Sequence, residues 1–209
     1  MIPVENQSFL AQYTQAYQAA VEGTLVTRAE AAIPMHQVLE EVRAVFRQLH
    51  DAGRKLMIVG NGGSAGIAGH MAIDFWKNGE VRALTFHDAP LLTCIANDFS
   101  YADVYAVPVR QFADAGDLLM AISSSGSSAN ILRAVQAARD TGCTVMTFSG
   151  FAPENTLRTL GDLNIYVPSY SYGIVECVHQ AIIHTFLDAR IQLDLHRDVL
   201  YRNQPLEQA

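Results

Sequence analysis

The chain has 209 residues, half of them apolar, with 21 acidic against 14 basic residues and a formal net charge of −7. That length suits one domain with a substantial core, no run of about 18 apolar residues suggests a membrane span, and the acidic balance without a Lys/Arg run argues against direct nucleic-acid binding. Cys94, Cys143 and Cys177 are spaced for neither a zinc ribbon nor a disulfide framework, and the opening residues Met1-Ile-Pro-Val-Glu-Asn-Gln do not read as a signal peptide, so a reducing cytoplasm is the expected compartment.

Residues from about Phe9 to His50 are helix-compatible, with breaks near Gly23-Thr24 and Ile33-Pro34; Val38, Val42, Val45, Phe46 and Leu49 then recur at helical spacing. Two helices packing on the domain or on a partner chain are expected over 1–50. The run Lys55-Leu-Met-Ile-Val59 is short and apolar, as in a buried parallel strand, and leads into Gly60-Asn-Gly-Gly-Ser64 and a helix. Further strands are predicted at Arg82–Phe86, Leu118–Ser123, Thr144–Phe148 and Asn164–Val167. A helix over Ile131–Thr141 stops at Gly142, and a long apolar helix runs from about Ile174 to Leu195. Strands alternating with helices predict a three-layer α/β/α sandwich with a five-stranded parallel sheet over 51–198. The polar tail 199–209, with Pro205, is expected to fray.

Two segments carry chemistry. A strand followed by a glycine loop and a helix N-terminus is an anion site, most often for phosphate. The P-loop lysine is missing and Gly60, Gly62 and Gly63 lack dinucleotide spacing, so a sugar or other small phosphate fits better than a nucleotide. The second segment, Ile122-Ser-Ser-Ser-Gly-Ser-Ser-Ala-Asn130, follows a strand at the same sheet edge and gathers five hydroxyls. On the helix after the first loop, His70 and Asp74 lie at i, i+4 on one face. Glu176 and His184 lie eight apart on the last helix and share roughly one side. Taken singly, such pairs are usually surface ion pairs and such serines helix caps; together they make two imidazoles and two carboxylates, a set suited to zinc or another divalent metal.

Gly60-Asn-Gly-Gly-Ser64, His70-x-x-x-Asp74, Ala96-Asn-Asp-Phe99, Ile122–Asn130 and Glu176-x-x-His179-x-x-x-x-His184 stand in one order over about residues 40 to 190. In that set the chain resembles the sugar isomerase (SIS) domain family, most of all its phosphoheptose isomerases. The resemblance implies conversion of sedoheptulose 7-phosphate to D-glycero-D-manno-heptose 7-phosphate by metal-assisted enediol proton transfer in a homotetramer. It implies a phosphate held by Ser123, Ser124, Ser125 and Ser128, and a sugar lined by Asn61, Gly62, Gly63 and Ser64 and contacted by Asn97 and Asp98. It implies zinc on His70, Asp74, Glu176 and His184, with Asp74 and His184 as acid/base groups and Glu176 able to join them. Two departures from the family pattern stand out: Asp74 occupies a position that is typically glutamate, and Glu176 one that is commonly glutamine.

Other residues read more plainly. His179, about 140° around the helix from His184, is expected to pack. His87 and Asp88 suit a turn, Trp76 a core or an interface, and Cys94 and Cys177 small buried hydrophobes. Tyr170 and Tyr172, just before the last helix, either cover the pocket or belong to a packed loop. A second reading, from another functional class, is a non-catalytic sugar-phosphate sensor or a tetrameric regulator like the SIS protein that assists replication initiation. Loss of the ligand-type side chains would mark it, and all four are kept here.

Overall fold

The computed structural model describes residues 6–200. Helix α1 (Asn6–Glu22) leads to a hairpin, β1 (Leu25–Arg28) and β2 (Ala31–Ala32), and then to α2 (Met35–Asp51). The strand–helix alternation comes next: β3 (Lys55–Gly60), α3 (Gly63–Lys77), β4 (Arg82–Leu84), α4 (Ala89–Asp98), α5 (Ala106–Phe112), β5 (Leu118–Ser123), α6 (Ala129–Asp140), β6 (Thr144–Ser149), β7 (Leu163–Tyr166) and α7 (Tyr172–Ala189). Short 3-10 turns at Tyr101–Asp103 and Thr156–Thr159 and a π turn at Arg190–Asp194 complete the described chain. The tail from Tyr201 onward lies outside the described residues.

The sheet order is β2-β1-β7-β6-β5-β3-β4. The five expected strands are the parallel ones, but the sheet has seven: β1 pairs antiparallel with β7 and β2, extending the edge. The hairpin lies between the two breaks recognised in the sequence. Its turn residues, Ala29 and Glu30, both have positive φ (44° and 70°), as a two-residue hairpin turn demands, yet neither is the glycine or asparagine that advertises one. Helices α4 and α5 were also not anticipated.

Each parallel strand reads as continuously apolar because both of its faces are covered. Leu56, Ile58, Met120, Ile122 and Phe148 point into a layer with α2, α3 and α7, where Val38, Val42, Phe46 and Leu49 bury the predicted helical stripe. Met57, Val59, Leu119, Ala121 and Val145 face the opposite layer with α5 and α6. At the lower edge the fully buried Asp117 accepts from the backbone N–H of Lys55 (2.9 Å) and of Asp114 (2.7 Å), and its Oδ2 lies 2.6 Å from Lys55 Nζ. This carboxylate therefore fixes where β3 and β5 begin. At the far end of α7, buried Arg190 donates Nε–H to Gly79 O (2.5 Å), and Asp194 accepts from Arg43 (2.5 Å) and Arg47 (2.8 Å) of α2.

Strand order reverses between β3 and β5. Ligands of open α/β sheets bind outside the carboxyl ends of the strands at such a switch point. The two loops that leave these strands are Asn61-Gly62 and Ser124–Ser128, the segments singled out by chemistry.

Candidate functional site

Close packing dictates the first loop. A Cβ on Gly60 would lie 2.6 Å from the Ser64 carbonyl oxygen, and Gly62 adopts φ +53°, which glycine reaches without strain. At Gly63 a Cβ would meet the Glu176 carboxylate at 2.3–2.5 Å, so the missing side chain makes room for an acid from α7 at the start of α3. Asn61 pairs with buried Asn130 of α6 through reciprocal amide bonds of 2.9 and 2.8 Å, which tie the two loops together. Tyr101 donates to Asn61 Oδ1 (3.4 Å) and Tyr105 to Gly60 O (2.6 Å). Burial, with a smaller contribution from Tyr101, pushes the Tyr105 phenol up to about 12, so it stays a neutral donor beneath the loop.

The serine loop closes around its own hydroxyls. Ser123 Oγ donates to Ser128 Oγ (3.2 Å) and lies 3.5 Å from Ser125 Oγ, which accepts from the Ser127 hydroxyl (3.2 Å). Gly126 (φ +62°) sits so close to Asn155 that a Cβ would approach Oδ1 to 1.9 Å. Asn155 in turn donates to Gly150 O (3.1 Å) and Ala152 O (2.8 Å), which anchors the loop from behind. The result is a cavity of about 120 Å3 lined by Asn61, Ser64, Ile122, Ser123, Ser124, Ser125, Ser128, Tyr172 and Glu176. Ser124 Oγ is buried there without a protein partner. Ser128 caps α6 with no side-chain bond to its first turn, so the helix start also faces this region.

The second group stands on the α3–α7 pair. His70 Nε2 lies 3.3 Å from His184 Nε2 and 3.2 Å from Asp74 Oδ2, and ligand atoms of all three residues fall within 4.8 Å of one another. Asp74 Oδ1 also accepts from Asn78 (3.3 Å). A cleft of about 530 Å3 opens beside them, lined in part by Asp74, Lys77, His184, Asp188 and Arg197. Burial raises the Asp188 carboxyl, and the neighbouring His184 opposes that shift. Two imidazole nitrogens facing one another beside a carboxylate form a donor set suited to a divalent cation.

Not every expected residue joins these groups. Glu176 lines the serine cavity, two turns of α7 away from His184, and is not in the His70–Asp74–His184 cluster. Asn97 and Asp98 end α4 on the exposed surface, where Asn97 donates to Asp98 (2.9 Å). Asp88 caps α4 through Leu91 N–H (3.4 Å), and His179 is fully buried. Cys94 and Cys177 are exposed, not buried, because both stand on the outward sides of their helices; Trp76 is exposed too. Asn130, Tyr101 and Tyr105 emerge only from the fold. An asparagine inside the serine motif was the one sequence sign of any of them.

The sequence profile of the SIS domain matches residues 13–150. Phosphoheptose isomerase from Shewanella sediminis is 36% identical over 174 residues, 79% of this chain and 88% of that protein. The one from Halorhodospira halophila is 38% identical over 155 residues, covering 70% and 77%. Among solved structures, phosphoheptose isomerase GmhA from Neisseria gonorrhoeae superposes with a TM-score of 0.72 at 26% identity, covering 88% of this chain and 95% of that one. The chain therefore belongs to the SIS domain family, and within it to the phosphoheptose isomerases.

Proposed function

We propose that the protein is an aldose–ketose isomerase that converts sedoheptulose 7-phosphate to D-glycero-D-manno-heptose 7-phosphate. The observation that carries this reading is a cavity lined by four loop serines at the sheet's switch point, sharing α3 and α7 with a His–Asp–His cluster. Ser123, Ser124, Ser125 and Ser128 take the phosphate oxygens, with Asn61, Gly62, Gly63 and Ser64 along the sugar. Asn97 and Asp98 serve the outer hydroxyls.

His70, Asp74 and His184 would hold a divalent ion, zinc before manganese or iron by their nitrogen-rich set. Glu176 would complete the set by swinging away from Gly63. Eight residues of α7 span about 12 Å, a gap that a glutamate and an imidazole reaching toward each other can close. Bound there, the ion supplies Lewis-acid polarisation of the substrate carbonyl. Isomerisation also needs a proton moved between adjacent carbons and their oxygens. Asp74 and His184 are the groups for that transfer, each able to carry the proton only once substrate has displaced it from the ion, and the Glu176 carboxylate is the acid nearest the phosphate end.

A homotetramer in the cytoplasm is part of the same proposal. No helix of the described residues is long and apolar enough to cross a membrane. Phe9 and Leu10 on α1 and Ile73 and Trp76 on α3 are more than half exposed, an apolar surface suited to other copies of the chain. The test is NMR of purified protein with sedoheptulose 7-phosphate, with and without zinc. Metal-dependent appearance of aldose supports the proposal, and a metal-loaded protein that leaves the ketose untouched refutes it.

A further inference from the structure

Three aromatic rings stand together, and one of them lines the serine cavity. Tyr172, at the start of α7, lines the cavity one helical turn before Glu176, on the same face. Its ring meets Phe151 edge-on at 4.7 Å and 84°, and Phe151 stacks on Tyr170 at 6.0 Å and 12°. Tyr172 is nevertheless 62% exposed and Tyr170 75%. Phe151 has φ +56°, an outlier for a bulky side chain. That conformation is held from both sides: Phe151 N–H donates to Ser169 O (3.0 Å), and the buried Tyr166 hydroxyl donates to Phe151 O (2.8 Å). Backbone held in so unfavourable a region usually serves a site, and here it aims a ring at the cavity rim.

Ser123 and Ser124 lie at the buried end of the cavity lining and Tyr172 at its exposed side. A sugar phosphate whose phosphate sits on the serines therefore has Tyr172 beside the carbon chain that follows.

We propose that Tyr172, braced by Phe151 and Tyr170, is a specificity residue of this site: its ring covers the hydroxylated carbon chain as the chain leaves the phosphate cup. An aromatic face presents apolar surface to the C–H side of such a chain while leaving its hydroxyls free. The residue thus discriminates by the carbon chain attached to the phosphate, whereas the serines discriminate by the phosphate alone. This rests on the reading of the cavity as a sugar-phosphate site.

The experiment is calorimetric titration of wild type, Tyr172→Ala, Tyr172→Phe and Phe151→Gly with sedoheptulose 7-phosphate and, separately, with inorganic phosphate. Tyr172→Ala is expected to weaken the sugar phosphate about tenfold and inorganic phosphate less than about twofold, with Tyr172→Phe close to wild type. Phe151→Gly, which relieves the strained φ while removing the brace, should show the same ligand-selective loss, and it keeps the test alive if Tyr172→Ala fails to fold. Equal losses for both ligands would overturn the proposal by making Tyr172 a mere support of the cup. Unchanged sugar-phosphate affinity would overturn it too. A wild type that binds the sugar phosphate in this ligand-selective way without turning it over sinks the isomerase reading and leaves this one standing; a wild type that does not bind it sinks both.

Discussion

Acid should destabilise this fold through one histidine. His179 is fully buried in α7, with Nε2 3.0 Å from Ser149 O, its Nδ1 unpaired, and its ring edge-on to Phe148. Burial drives its pKa from 6.5 down to about 4, against a smaller opposing effect of the Ser149 carbonyl. Between those values the unfolded chain takes up a proton that the folded chain refuses, so stability falls as pH drops. The loss is about 2 kcal/mol at pH 5 and approaches about 3 kcal/mol below pH 4, relative to neutral pH. His179→Gln keeps an N–H directed at Ser149 O but cannot titrate. Denaturant melts at pH 7.5 and 5.0 should show wild type losing about 2 kcal/mol more than the variant over that interval, or about 4–8 °C in Tm. His87, also pushed down by burial, acts in the same direction in both proteins and cancels in the comparison. Equal losses would refute the reasoning. The site would feel such a change, because Gly150, next to Ser149, donates its N–H to Ser124 O of the serine loop (3.0 Å).

Gly60→Ala and Gly63→Ala should separate packing from chemistry. The first pushes against the Ser64 backbone and should cost about 1–3 kcal/mol in denaturant melts. The second displaces only the movable end of Glu176, so stability should stay within about 1 kcal/mol while turnover falls; unchanged turnover would detach Glu176 from the reaction. His184→Ala should lower kcat at least about 100-fold and reduce the metal retained on purification, measured by mass spectrometry, and near-normal turnover would remove His184 from the mechanism. Asp74→Glu moves the carboxylate by about 1.5 Å and should lower turnover about tenfold or more, because the present aspartate lies 3.2 Å from His70. A strong rise on sedoheptulose 7-phosphate would mean that the natural substrate is another ketose phosphate.

The parallel sheet was legible because strands covered on both faces leave unbroken apolar runs, as Leu56–Val59 and Leu118–Ile122 do. The β1–β2 hairpin was not, since its positive-φ turn is built from Ala29 and Glu30, ordinary residues held in place by pairing with β7. His70 and Asp74 could be paired from helix periodicity alone. That they meet His184 depends on α3 lying against α7, a contact between elements more than a hundred residues apart. The place of Glu176 was harder still. Helical spacing put it on the same side as His184, but the glycine at 63 lets its carboxylate settle over the start of α3 instead. The serine motif read correctly as a loop at a strand end, whereas the orphaned hydroxyl of Ser124 is a fact of burial that no spacing announces.

Under the proposed function, charge would couple the two halves of the site. Among the described residues, no lysine or arginine lines the serine cavity, and one carboxylate, Glu176, does. A phosphate dianion about 5 Å from that carboxylate would be repelled by about 7 kcal/mol at an effective dielectric constant of 20. The starts of α3 and α6 carry about half a positive charge each, but helix ends contribute only about 0.3–2 kcal/mol apiece, which leaves part of that repulsion standing. An anion seated there would therefore favour a Glu176 turned away from it or given a counter-charge. Two neutral imidazoles with the carboxylates of Asp74 and Glu176 balance a dication completely. A glutamine at 176, the commoner residue by the family resemblance, would leave such a site one positive charge over. Under the proposed function the glutamate would remove that surplus, and position 176 would couple phosphate binding to the His–Asp–His cluster. Under the proposed function, the Glu176 carboxylate poised over Gly63 is the part of the site that would move when the anion enters.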